Sequence, residues 1–227
     1  MDLKLLFSLF EKEEERRFQE VQDDPDFFGY TKEKNKYLEG FEDFKSLVKN
    51  HEFGKTSETG ENLDAIKKYN LSLEEAAIIY LYTGHDICFD VNSQLRNHSA
   101  HLDKDIEEYA KLLNQSLDKL PSFDNGLVYR DIQNISNAKE LIDYYSSNIG
   151  KVVCESAFIS SHIEYSRWSD VERSVQLIIK TKKDSNGKDL RELSFNSTET
   201  EVLFKNNAKF IVVNIHEHKN IVELIEV

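Results

Sequence analysis

Leu193-Ser-Phe-Asn-Ser-Thr-Glu-Thr-Glu-Val-Leu-Phe204 changes character halfway along its length. It starts as a polar loop and ends in a short apolar run, the pattern of a loop feeding a strand. Glu199 and Glu201 stand at the junction. In an extended chain, side chains at i and i+2 leave the backbone on the same face, so the two carboxylates are held close. Acids so placed repel unless each has a task or a partner. Taken alone the pair reads as a solvated acidic turn. The chain around it overturns that reading.

Outward from this junction the sequence keeps a sheet-like character as far back as residue 127. Downstream, Phe210 to Ile215 and Asn220 to Val227 read as strands. Upstream, Val175 to Thr181 is a β-branched run typical of a central strand, and Asn186-Gly187 offers a tight turn. Ala157 to Ser160, Val152-Val153 and Leu127-Val-Tyr129 are shorter strands, with one helix at Ala138, Leu141, Ile142 and Tyr145. Before Pro121 the period is helical. Ile106, Tyr109, Ala110, Leu113, Leu117 and Leu120 make Asp103 to Leu120 an amphipathic helix, ended by Pro121 and the turn Asp124-Asn-Gly126. Ser72 and Glu75 form a capping box for a helix that Gly84 ends.

Residues 1 to about 50 repeat helical spacing at Leu3, Leu6 and Phe10 and again at Phe41, Phe44 and Val48, with a break at Asp23-Asp-Pro-Asp26. Residues 54 to 62 are a polar loop. Gly54-Lys-Thr56 is not a phosphate loop, because Lys49 stands where that motif needs glycine. Helices first and strands afterwards define an α+β arrangement. The division expected is an N-terminal helical extension over residues 1–60 and a catalytic domain over 61–227.

The chain has 227 residues, 39% of them hydrophobic, enough to bury the core of one large domain. A net charge of −13 argues against a non-specific nucleic-acid or membrane-surface binder, since both need a surplus of Lys and Arg. Cys88 and Cys154 lack metal-site spacing and are too few for a disulfide framework. His98 with His101, and His216 with His218, lack partners at ligand spacing, so no metal is expected. Leu3 to Phe10 is apolar, but Glu11-Lys-Glu-Glu-Glu15 follows where a signal peptide needs small residues. The expected location is therefore the cytoplasm, or a target cell reached through another system. Lys-, Asn- and Ile-rich composition with two prolines suggests an AT-rich bacterial or phage genome.

Three patches in order resemble the arginine-serine-glutamate class of mono-ADP-ribosyltransferases, the arginine-specific toxin type. Leu127-Val-Tyr-Arg130 is similar to that family's strand ending in an NAD-binding arginine. Ala157-Phe-Ile-Ser-Ser161 is similar to its aromatic-x-Ser-Thr-Ser strand, and Glu199-Thr-Glu201-Val-Leu-Phe to its Glu-x-Glu motif. Tyr82-Thr-Gly84 followed by Asn92, Leu95 and Arg96 resembles its helical region. The resemblance covers about residues 70 to 227. It implies two packed, mostly antiparallel sheets around an NAD cleft, with helices along one side.

The resemblance also implies roles. Glu201 would stabilise positive charge at the nicotinamide ribose as that C–N bond breaks, as glycosidase carboxylates do. Glu199 would bind an acceptor guanidinium and take its proton, which a glutamine there cannot do. Ser160 would orient Glu201. Arg130 would contact the diphosphate with its forked, permanent cation, beside Tyr129. Ser161, Arg167 and Trp168 would complete the NAD site, Trp168 as a flat surface for a ring. NAD is thus expected as substrate, and a protein with an exposed arginine as acceptor. Two positions depart from the pattern: Asp131 replaces a glycine after the arginine, and His162 replaces the third hydroxyl of Ser-Thr-Ser. An NAD glycohydrolase and a non-catalytic binding module on the same scaffold remain as alternatives.

Overall fold

The structure is a computed structural model that describes residues 61–84, 87–97, 102, 104–133, 138–165, 171–194 and 200–227. The N-terminal helices expected within residues 1–50 lie outside the described residues, as do His98 and His101. The chain divides into two compact units, Met1–Phe89 with Asp103–Lys119, and Asp90–Leu102 with Leu120–Val227.

The first unit is helical, with α1 (Glu61–Lys68), α2 (Leu73–Gly84) and α4 (Lys104–Leu117). The capping box at the start of α2 forms: Ser72 N–H donates to Glu75 Oε2 at 2.7 Å and Glu75 N–H to Ser72 Oγ at 3.2 Å. Lys119 adds an ion pair to the same Glu75 carboxylate at 2.6 Å. Helix α2 is apolar nearly all round, and Ala76 to Tyr82 are all buried. The stripe expected on α4 is the buried one, since Ile106, Tyr109, Ala110, Leu113 and Leu117 are all enclosed.

In the second unit eight strands join in the order β2-β7-β8-β4-β1-β3-β6-β5. They are β1 (Leu127–Ile132), β2 (Val152–Glu155), β3 (Ile159–His162), β4 (Val175–Lys180), β5 (Gly187–Asp189), β6 (Glu201–Phe204), β7 (Ala208–His216) and β8 (Ile221–Glu226). Pairing is antiparallel except between β4 and β8. The fold is thus α+β with a mostly antiparallel, mixed sheet.

The sheet is continuous but bent double. Strands β7 and β6 lie five steps apart in the order, roughly 24 Å in a flat sheet at about 4.8 Å per strand. Yet the rings of Phe210 on β7 and Phe204 on β6 meet edge to face at 5.5 Å. The fold line falls between β1 and β3, which share the single register pair Tyr129 with His162. Five strands therefore lie in one layer and three in the other, with Val128, Val175, Leu177, Val202, Phe204, Phe210 and Val222 in the core between them. Helix α5 (Ala138–Ser146) adds Ala138, Ile142 and Tyr145 to that core.

The segment between β4 and β5 corrects one sequence expectation. The chain turns at Lys183-Asp184, where Asp184 takes φ 56, rather than at Asn186-Gly187. Gly187 already belongs to β5, and a Cβ on it would come within 3.0 Å of both the Phe204 ring and Val202. Its glycine answers close approach to β6. The buried carboxylate of Glu226 fastens this turn, accepting from Ser185 Oγ at 2.6 Å, Asn186 N–H at 2.7 Å and Lys182 N–H at 3.2 Å.

Candidate active site

Glu201 opens β6 and faces His162 across the ladder to β3, and His162 in turn faces Tyr129 on β1. Directly opposed residues share a face of the sheet, so Tyr129, His162 and Glu201 make one row across three strands. Ser160, two residues before His162, lies on that same face. Its Oγ donates to Glu201 Oε1 at 2.7 Å. Ser194 Oγ donates to Oε2 at 3.3 Å. Glu201 is only 3% exposed, and burying a carboxylate is costly unless donors meet it. Two hydroxyls do so here.

Ser161 alternates to the opposite face. It is fully buried and donates to the Val202 carbonyl at 2.8 Å, so it is not brought to the carboxylate. Arg130 reaches the site through its guanidinium, whose Nη1 donates to the Ser160 carbonyl at 2.7 Å. In a continued β1–β3 ladder that carbonyl would lie opposite Asp131; where the layers part, the side chain of Arg130 takes it. The Tyr129 ring packs edge to face against Tyr165, centroids 5.2 Å apart. Arg167, Trp168 and Glu199 lie outside the described residues.

A second guanidinium belongs to the same unit as Arg130. Arg96, on α3 (Ile87–Asn97), donates through Nε to Glu155 Oε1 at 3.0 Å. One turn earlier, Asn92 Oδ1 accepts from Phe158 N–H at 3.0 Å. They tie α3 to the end of β2 and to the chain that follows it, which leads into Ser160. Burial pushes the Tyr145 phenol well up, Glu155 beside it pushes the same way, and Arg130 and Arg96 pull it down. One phenol thus feels both guanidiniums. Reading the sequence placed Asn92 and Arg96 in the family's helical region without roles, and it missed Glu155 and Ser194. Ser194 lies within the quoted stretch, but its contact depends on a turn that spacing does not reveal.

Of the histidines singled out, His216 is described with a side-chain partner: its Nε2 lies 2.9 Å from Glu223 Oε1.

This layered sheet, with a buried glutamate braced by a serine on the next strand and an arginine two strands from the glutamate, defines a class. Residues 56–225 match the model of the ADP-ribosyltransferase exoenzyme family, and the chain belongs to that family. The solved structures it resembles include the ADP-ribosyltransferase HopU1 of Pseudomonas syringae pv. tomato DC3000, at 21% identity and TM-score 0.60, over 76% of this chain and 84% of that one. The C3 exoenzyme of Clostridium limosum matches at 16% identity and TM-score 0.58, over 73% and 91%. The ADP-ribosyltransferase Vis of Vibrio splendidus, in complex with agmatine, matches at 19% identity and TM-score 0.53, over 76% and 87%. At these identities the likeness is one of fold. No curated protein sequence matches the chain. Among the described residues, no helix is long and apolar enough to cross a membrane.

Proposed function

We propose that this protein transfers ADP-ribose from NAD to an arginine of a target protein and releases nicotinamide. The observation that carries the reading is the buried Glu201 carboxylate, gripped by Ser160 at 2.7 Å. Charge held rigidly in a water-poor site stabilises a developing cation better than the same charge in water. When the bond from ribose to nicotinamide breaks, its electron pair leaves with nicotinamide, and Glu201 faces the positive charge left on the sugar. Arg130 and Arg96 supply permanent cations for a diphosphate. The Tyr129–Tyr165 pair offers an aromatic surface along the row of site residues.

The acceptor half rests on Glu199. A guanidinium is protonated at neutral pH and attacks only as a proton is removed, so a carboxylate two residues before Glu201 serves as its docking group and base. A new bond from ribose carbon to arginine nitrogen forms as that proton passes to Glu199. Agmatine, the ligand of Vis, carries the same guanidinium.

The test is incubation of the full chain with NAD labelled in its ADP-ribose half and a cell lysate. The wild type is expected to label protein on arginine. Glu201→Gln should lower both labelling and nicotinamide release by about 10²- to 10³-fold. Glu199→Gln should abolish labelling and keep nicotinamide release. Release with no labelled protein would make water the acceptor. A wild type that neither binds nor turns over NAD would end the reading.

A further inference from the structure

The second hydroxyl on the carboxylate supports an inference that rests on the transferase reading. We propose that Ser194 is a positioning residue for the reaction: it holds Oε2 of Glu201, so that the carboxylate stays ionised and fixed in rotation. A carboxylate held at one oxygen can still turn about its terminal torsion, which is broad and roughly two-fold. A donor on the other oxygen fixes the plane.

The backbone shows why Ser194 can do this. Leu190 N–H donates to the Glu201 carbonyl at 3.0 Å, and Ser194 N–H donates to the Leu190 carbonyl at 2.8 Å. Ser194 Oγ then returns to Glu201 Oε2 at 3.3 Å. The three bonds close a circuit, so the donor hangs from the residue whose side chain it steadies. Leu193 N–H also bonds the Leu190 carbonyl at 2.8 Å, and Arg191 pairs with Asp189 at 2.6 Å, which tightens the same turn. Leu190, Leu193 and Ser194 are all buried. The bond to Oε2, at 3.3 Å, is longer than the 2.7 Å bond of Ser160 to Oε1. Of these two bonds, the one to Oε1 is the tighter anchor. Ser194 also immediately precedes residues 195–199, the segment that ends in Glu199.

The experiment compares wild type, Ser194→Ala and Ser194→Thr in nicotinamide release across pH. Ser194→Ala is expected to lower kcat about tenfold, with KM for NAD changed by less than about twofold. Its acid limb should move to higher pH, because a hydrogen bond to the ionised form has been lost. Ser194→Thr keeps the hydroxyl and should restore most of both, which separates a lost donor from a disturbed turn. Unchanged kcat and pH profile in Ser194→Ala, or equal damage in both variants, would overturn the assignment. A second readout needs no turnover. In ¹³C-glutamate-labelled protein the Glu201 carboxyl signal, identified by its loss in Glu201→Gln, should titrate at higher pH in Ser194→Ala than in wild type. Equal midpoints overturn the role of Ser194 even if nicotinamide is released. A wild type that neither binds NAD nor releases nicotinamide ends the transferase reading, and the titration still decides for or against Ser194.

Discussion

The guanidinium of Arg130 donates to the carbonyl of Ser160, the residue that grips Glu201, so one side chain touches both the scaffold and the proposed NAD site. Lysine there would keep the charge but lose the planar fork that meets a carbonyl on one edge and a phosphate on another. Arg130→Lys is expected to raise KM for NAD about tenfold and to lower kcat less, measured by nicotinamide release. A variant with wild-type KM would place the diphosphate elsewhere. At this scale Ser160 and Glu201 were legible because both sit on strands, where a two-residue period fixes the face from sequence alone. The same period sends Ser161 to the opposite face, away from the site its motif had suggested for it. Ser194 escaped notice because a loop has no such period.

Among the elements, helices α2 and α4 are joined by one phenol that has a pH signature. Tyr109 is fully buried on α4 and donates to the Ile78 carbonyl of α2 at 3.1 Å. Burial raises its pKa well above the ordinary tyrosine value, with smaller pushes from Tyr82 and Cys88. A folded-state pKa above the unfolded one gives stability that is complete below about pH 10 and is lost as pH climbs beyond it. Tyr109→Phe removes both the bond and the titration. Urea unfolding at pH 7 should find the variant about 1 kcal/mol less stable. At pH 11 the gap should narrow, because only the wild type must keep a phenol neutral against the solvent. A gap constant with pH would mean that Tyr109 can ionise in the folded protein. Both helices were readable from spacing and the Ser72–Glu75 cap. The turn after β4 was not, because Asn-Gly signals a tight turn whether or not a neighbouring strand demands the glycine.

For the molecule as a whole, the order of helices before strands was legible, and so was the α+β class. The strand order was not. Neighbours such as β4 with β8 and β1 with β4 lie far apart in the chain, and no local period reports such pairing. The doubling of the sheet between β1 and β3 is equally non-local: it shows in the meeting of Phe204 with Phe210 and in the single β1–β3 pair. What remains to be tested at this scale is the boundary expected near residue 60. The family match starts at residue 56, and α1, from Glu61, already contributes buried Ala65 and Ile66. Cutting after α1 would strip apolar surface from the helical unit, whereas cutting at 56 spares every element described. A chain of residues 56–227 is therefore expected to keep the cooperative transition of the helical unit and to release nicotinamide at a rate within about threefold of the full chain, the change expected when a deletion costs well under 1 kcal/mol in the transition state. A chain of residues 70–227 lacks α1 and is expected to lose the cooperative transition of the helical unit. If 56–227 behaves as 70–227 does, residues 1–55 are part of the fold and the boundary at 60 is wrong.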